Sequence, residues 1–112
     1  MSADELFDLL GDEYTREVLE SLRERPRTGR EITEAVTASK ATVYRRLNAL
    51  EDAGLVATEH KLDPDGHHCE QFRVAAGRLA LRLDDDGLSA EIDRSATVED
   101  EAYAPKALVA GD

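Results

Sequence analysis

Ser39-Lys-Ala-Thr-Val-Tyr-Arg-Arg-Leu-Asn-Ala-Leu-Glu-Asp-Ala-Gly54-Leu55-Val56 is the stretch from which the fold can be read. Ser39 offers a side-chain oxygen to an otherwise unpaired amide of a first helical turn, as an N-cap does. From Lys40 to about Ala53 the segment reads as a helix with Val43, Leu47 and Leu50 on one buried stripe. Gly54 supplies the C-terminal stop. On a wheel centred on that stripe, Ala41, Thr42, Arg45, Asn48 and Ala49 point outward, and Lys40, Tyr44 and Arg46 lie at the flanks.

Working back toward the N-terminus, Ile32, Ala35 and Val36 mark the apolar side of a shorter helix from Arg30 to Val36, and Thr37-Ala38-Ser39 interrupts it. A longer helix from Glu13 to about Glu24 carries Tyr14, Val18, Leu19 and Leu22 at helical spacing, with Asp12 as its cap and Pro26 closing it. The first helix, Ser2 to Leu10, opens on a capping box in which Ser2 and Glu5 satisfy each other's backbone amides. It places Leu6, Leu9 and Leu10 on one face and ends at Gly11.

Downstream of Gly54 the period falls to two. Leu55 to Leu62 and His67 to Val74 are strands joined by Asp63-Pro64-Asp65-Gly66, where proline presets the turn and glycine takes a positive φ. A three-residue loop pairs Val56 with Val74 and Thr58 with Phe72. A four-residue loop instead gathers His60, His67 and Cys69 on one face. Matching of apolar pairs favours the first register. A second hairpin turns at Asp84-Asp85-Asp86-Gly87 and sets Leu83 opposite Leu88, Leu81 opposite Ala90 and Leu79 opposite Ile92. One face of that ribbon is wholly apolar. Residues 1–93 are therefore expected to form one domain, and residues 94–112, where acids recur without a period, a mobile tail.

The chain has 112 residues, 41% of them hydrophobic, enough for one modest core and too few for a multidomain enzyme. It has no apolar run of membrane-spanning length, and its first ten residues carry acids where a signal peptide would carry bases. A soluble, cytoplasmic protein without a membrane partner is the expectation. One cysteine, Cys69, excludes a disulfide within the chain. Twenty-five acids oppose 14 bases, of which 11 are Arg, for a net charge of -11. This balance, with few aromatics, suits a salt-saturated cytoplasm, whereas the alternative is an ordinary acidic protein. Overall charge argues against nucleic acid. Its distribution argues the other way, because no acid falls between Glu34 and Glu51, a stretch that holds Lys40, Arg45 and Arg46.

Two short helices joined by a tight turn, the second capped by Ser39 and followed by a hairpin, give the order of a winged helix-turn-helix, an α+β fold of about four helices, a wing and here a second hairpin. Leu10-Gly-Asp-Glu-Tyr-Thr-Arg16-Glu-Val-Leu19 resembles the opening of ArsR-type regulators, and Ser39 to Val56 resembles their recognition helix and first wing strand. The resemblance covers about Ser2 to Val74 and is shared with small acidic regulators of halophilic archaea. It implies a sequence-specific regulator of transcription that binds double-stranded DNA as a homodimer, with the helices from Ser2 to Glu24 as the usual dimer surface.

The residues support that implication on their own terms. Small side chains at Ala41 and Ala49 allow close approach to a major groove, Arg45 can offer two donors to guanine, and Asn48 can pair with adenine. Ser39 to Arg46 lies nearest the helix start, where base contacts concentrate. Thr28 and the amides near Arg30 stand at a helix N-terminus that favours a phosphate. The Tyr44 hydroxyl, Lys61, His67 and His68 complete the backbone contacts. For Tyr44 the competing reading is a ring packed over its own hairpin. For Arg45 and Arg46 it is a solvated face with partners four residues away. Asp63 and Asp65 set two acids at the tip of the wing.

His60, His67, His68 and Cys69 invite a metal-sensor reading, which only the disfavoured register supports. The resembled arsenic sensors carry a cysteine pair where Thr37, Ala38 and Ser39 stand here, so no metal or other cofactor is expected. No glycine-rich phosphate loop and no nucleophile with a base is present, so enzymatic activity is not expected. The main alternative function is a winged helix that binds proteins and makes no direct contact with DNA.

Overall fold

The computed structural model describes residues 2–62, 64–75 and 77–93. Asp63 of the wing turn and the expected tail at 94–112 lie outside the described residues. The chain divides into two compact units, residues 1–75 and 76–112. In the first, the order is α1 (Ala3–Gly11), α2 (Glu13–Ser21), β1 (Arg27–Thr28), α3 (Gly29–Ala35), α4 (Lys40–Asp52), β2 (Val56–Leu62) and β3 (His68–Val74). This α+β arrangement is a winged helix-turn-helix.

Capping chemistry sets the helix starts. Ser2 and Glu5 form the expected capping box. Asp12 caps α2 by accepting from the Thr15 amide at 2.9 Å, and Ser39 caps α4 by accepting from Thr42 at 3.2 Å. The helix ends depart from expectation in two places. α1 runs through Gly11 and stops at Asp12, whose φ of -80° and ψ of 128° are extended, so no left-handed glycine is involved. α2 stops at Ser21, short of the expected Glu24. The Leu22 side chain is buried there, and the Arg27 guanidinium takes the Ser21 carbonyl that a further turn would have used. Gly54 behaves as read, with a φ of +78°. Leu55 donates to the Leu50 carbonyl and Gly54 to that of Glu51, the paired bonds of a Schellman stop.

β1 is an element that the sequence reading lacked. Its two residues pair with β3 through Arg27↔Phe72 and Thr28↔Gln71, giving a three-stranded antiparallel sheet in the order β1-β3-β2. The wing adopts the favoured register, from Val56↔Val74 through Thr58↔Phe72 to Leu62↔His68. Phe72 is thereby flanked on both sides and is buried. The core lies between the sheet and the helices: Leu6, Val18, Leu22, Ile32, Val43, Leu47, Leu50, Leu55, Val56 and Phe72. Thr15, fully buried and polar, gives both its amide and its hydroxyl to Asp12. Burial of these apolar side chains is the main stabilising term of the unit.

The second unit contains a hairpin of β4 (Arg78–Asp84) and β5 (Gly87–Asp93). Leu79↔Ile92, Leu81↔Ala90 and Leu83↔Leu88 pair as read. The turn is tighter than the expected four residues, because the ladder closes on Asp84↔Gly87. Gly87 takes a φ of +104°, and the Asp84 side chain accepts from the Asp86 amide at 2.9 Å. Leu81, Leu83 and Leu88 of the apolar face are exposed.

Candidate nucleic-acid interface

The buried stripe of α4 fixes what its other side offers. Val43, Leu47 and Leu50 are inaccessible to solvent. Lys40, Ala41, Tyr44, Arg45 and Asn48 are exposed, as is Ser39 at the cap, while Thr42 and Ala49 are half-buried. A short hydrogen-bond chain organises the first turns. The Ser39 hydroxyl donates to the Thr42 hydroxyl oxygen at 3.1 Å, and the Arg45 guanidinium donates to the same oxygen at 3.4 Å. That contact is long enough to hold Arg45 along the helix face without committing its remaining donors. Neither Lys40 nor Arg45 makes an ion pair among the described residues.

Arg46 lies at the flank of α4, as the wheel places it, but its partner is not four residues away. It follows Val43 by three positions and precedes Leu50 by four, so it borders the buried stripe and reaches another helix. Its Nε donates to Asp12 Oδ2 at 2.8 Å and its Nη2 to Oδ1 at 3.3 Å, with both side chains less than one-third exposed. The Arg46 hydrogen bond is the largest reason that the Asp12 carboxyl falls from 3.8 to about 2, with partial burial opposing it and the Thr15 amide assisting.

Thr28 also differs in surroundings. It is the N-cap of α3, and the N-terminus that the reading left open to a phosphate already holds the chain's own carboxylate. Glu31 accepts from the Thr28 amide at 3.0 Å, while Thr28 Oγ1 accepts from the Glu31 amide at 3.1 Å. The Thr28 amide first, and then Arg25 at 3.0 Å, hold the Glu31 carboxyl below its ordinary value. Arg30 is exposed and forms a surface pair with Glu34 at 3.3 Å.

Tyr44 lays its ring over the first residue of α3. A Cβ on the buried Gly29 would overlap the phenol, hydroxyl included. Tyr44, Lys40, Arg30, Thr33 and Glu34 line a groove of about 330 Å³ beside the start of α4. At the wing, Lys61, His67 and His68 are exposed. Lys61 pairs with Cys69 and Leu62 with His68, so Lys61 and His68 occupy opposite faces of the ribbon. The register also separates Cys69 from His60, whose Nε2 lies 4.0 Å from Glu70. Among the described residues no three His, Cys, Asp or Glu side chains gather as a metal site would require.

A family model described as the HVO_A0261 N-terminal domain matches residues 3–69. The chain belongs to that family. The HVO_A0261 N-terminal domain match runs from α1 into β3 and includes every candidate contact residue from Thr28 to His68, whereas β4 and β5 lie beyond it. No curated protein matches the chain. Two solved structures are similar in fold, both of YodB from B. subtilis. The diamide-treated form superposes with a TM-score of 0.56 at 22% identity, and the reduced form of this transcriptional regulator with 0.53 at 25% identity. Each comparison covers 63% of this chain and 69% of the other.

Three residues that matter to this surface escaped the sequence reading: Gly29 as the seat of Tyr44, Glu31 as the partner of Thr28, and Asp12 as the holder of Arg46. Glu31 had a signal, since Thr28-Gly-Arg-Glu31 has capping-box spacing. The other two depend on contacts between distant segments. Among the described residues no helix is long and apolar enough to cross a membrane.

Proposed function

We propose that this protein is a sequence-specific, double-stranded DNA-binding regulator of transcription, related in mode of action to ArsR-type regulators. The outward face of α4 carries the reading: Ala41, Thr42 and Arg45 stand on a helix with no carboxylate from 35 to 50, in a chain that is otherwise rich in them. Small residues admit the helix to the major groove, Arg45 offers a bidentate donor to guanine, and Asn48 lies further along the same groove. Ser39, Lys40, Arg30, the Tyr44 hydroxyl and the wing residues Lys61, His67 and His68 position the protein on phosphates. The similarity to a transcriptional regulator supports the same reading.

Binding as a homodimer places two such helices on half-sites about one helical turn apart. The α1–α2 surface is the expected contact, and the leucine face of the second hairpin is a further one. No catalytic step is assigned. The acidic, lysine-poor composition fits a protein that works at high salt. Fluorescence anisotropy on genomic fragments tests the proposal. Native protein should bind selectively, and Arg45→Ala should cost about 1 to 3 kcal/mol or relax selectivity if Arg45 reads a base. Absence of binding to any fragment, or indifference to the substitution, would favour a winged helix that binds protein instead.

A further inference from the structure

We infer that Asp12 is a specificity-determining, positioning residue: by engaging Arg46 it keeps one cation off the DNA and fixes the roll of α4, so that Arg45 is the guanidinium offered to base edges. The inference rests on the DNA-binding reading above and adds to it a residue outside the helix-turn-helix.

Arg45 and Arg46 are consecutive, so their side chains leave α4 about 100° apart. A helix lying in a groove can direct one of them at bases while the other meets the groove wall. The buried stripe of Val43, Leu47 and Leu50 turns Arg45 outward and leaves Arg46 at its border, from which a long side chain can still swing toward the groove. What holds it back comes from 34 residues away, where Asp12 grips Arg46 with two bonds, 2.8 and 3.3 Å long. The planar fork of arginine on a carboxylate fixes direction as well as distance. The carboxylate is itself immobile, because the same Oδ2 that accepts from Arg46 accepts from the amide and hydroxyl of fully buried Thr15. Swinging it away would uncap α2. Arg16 donates to the Leu10 carbonyl at 3.0 Å and braces the adjoining α1–α2 corner. A rigid point on the helical layer is thus tied to the middle of the reading helix, in a partly buried position that salt screens weakly.

Release of Arg46 would leave a mobile cation on the flank of α4, within reach of the phosphates bordering the groove. It would strengthen binding to every sequence alike. Asp12 therefore favours selectivity over affinity.

Asp12→Asn isolates this role, since asparagine caps a helix about as well as aspartate but presents no charge to Arg46. Anisotropy titrations over a salt series would use a short mixed-sequence duplex and the genomic fragment that native protein binds best. The variant should bind the mixed-sequence duplex more tightly, with the slope of log K against log salt steeper by about 0.9 for each freed arginine. Its preference for the genomic fragment should fall. The double variant Asp12→Asn/Arg46→Gln should return to the native slope. Arg46→Gln alone should lower preference while leaving the slope as in native protein, which keeps the inference testable if Asp12→Asn fails to fold. A native slope and native preference in folded Asp12→Asn, or a shallower slope in Arg46→Gln, would overturn it. Native protein that binds neither duplex would defeat the DNA-binding reading instead.

Discussion

Gly29 occupies the first position of α3 with the Tyr44 phenol where a side chain would stand. The close approach of α3 to α4 is bought by that missing Cβ. Gly29→Ala should therefore destabilise the protein by about 1 to 3 kcal/mol, as overpacking does, measured by urea unfolding. Combining it with Tyr44→Ala should recover part of the loss, whereas additive losses would show that the two residues do not meet. Asp12 gives a second test, in pH. Its carboxyl titrates near 2 in the folded chain against 3.8 ordinarily, so protonation favours the unfolded state. Its contribution, at most about 2 kcal/mol, is complete above about pH 4 and is lost as pH falls toward 2. Asp12→Asn should remove this part of the acid limb in thermal melts. Neither residue's role was legible in the sequence. A helical wheel showed that Arg46 borders the buried stripe, but it carries no information about which segment approaches that border.

Helices and hairpins were more legible, because their determinants are local. Ser2, Asp12 and Ser39 each announce a helix through a short polar side chain ahead of an apolar period, and each is the N-cap of its helix. Ser39→Ala should lower stability by about 1 kcal/mol in thermal melts, and its loss also removes the hydroxyl that donates to Thr42 at 3.1 Å. The effect on DNA affinity should then exceed the effect on stability. Both hairpin registers follow from apolar pairing, since a slip of one residue would turn Phe72 or Leu81 to the opposite face. β1 was illegible for the converse reason: Arg27 and Thr28 have no pattern of their own and become a strand only when β3 arrives beside them. The premature end of α2 has the same origin, an Arg27 side chain that reaches back to Ser21.

For the whole molecule, charge is the governing quantity. A body with a net charge of -11 is repelled by DNA at long range, and its attraction must come from cations not already neutralised by the chain. Arg23 pairs with Glu20, Arg25 with Glu31, Arg30 with Glu34 and Arg46 with Asp12. On the reading helix this leaves Lys40 and Arg45, and on the wing Lys61. A homodimer that displaces counterions with those three residues from each protomer should show a slope of log K against log salt on the order of -5, shallow for a DNA-binding protein of this kind. Such a slope costs about 1,000-fold in affinity for a fourfold rise in salt, against about a million-fold at a slope of -10. A slope near -10 would mean that the paired arginines open on DNA, and the ion pairs seen here would then belong to the free protein alone. A slope near zero would remove phosphate contact altogether and, with it, the role assigned to α4.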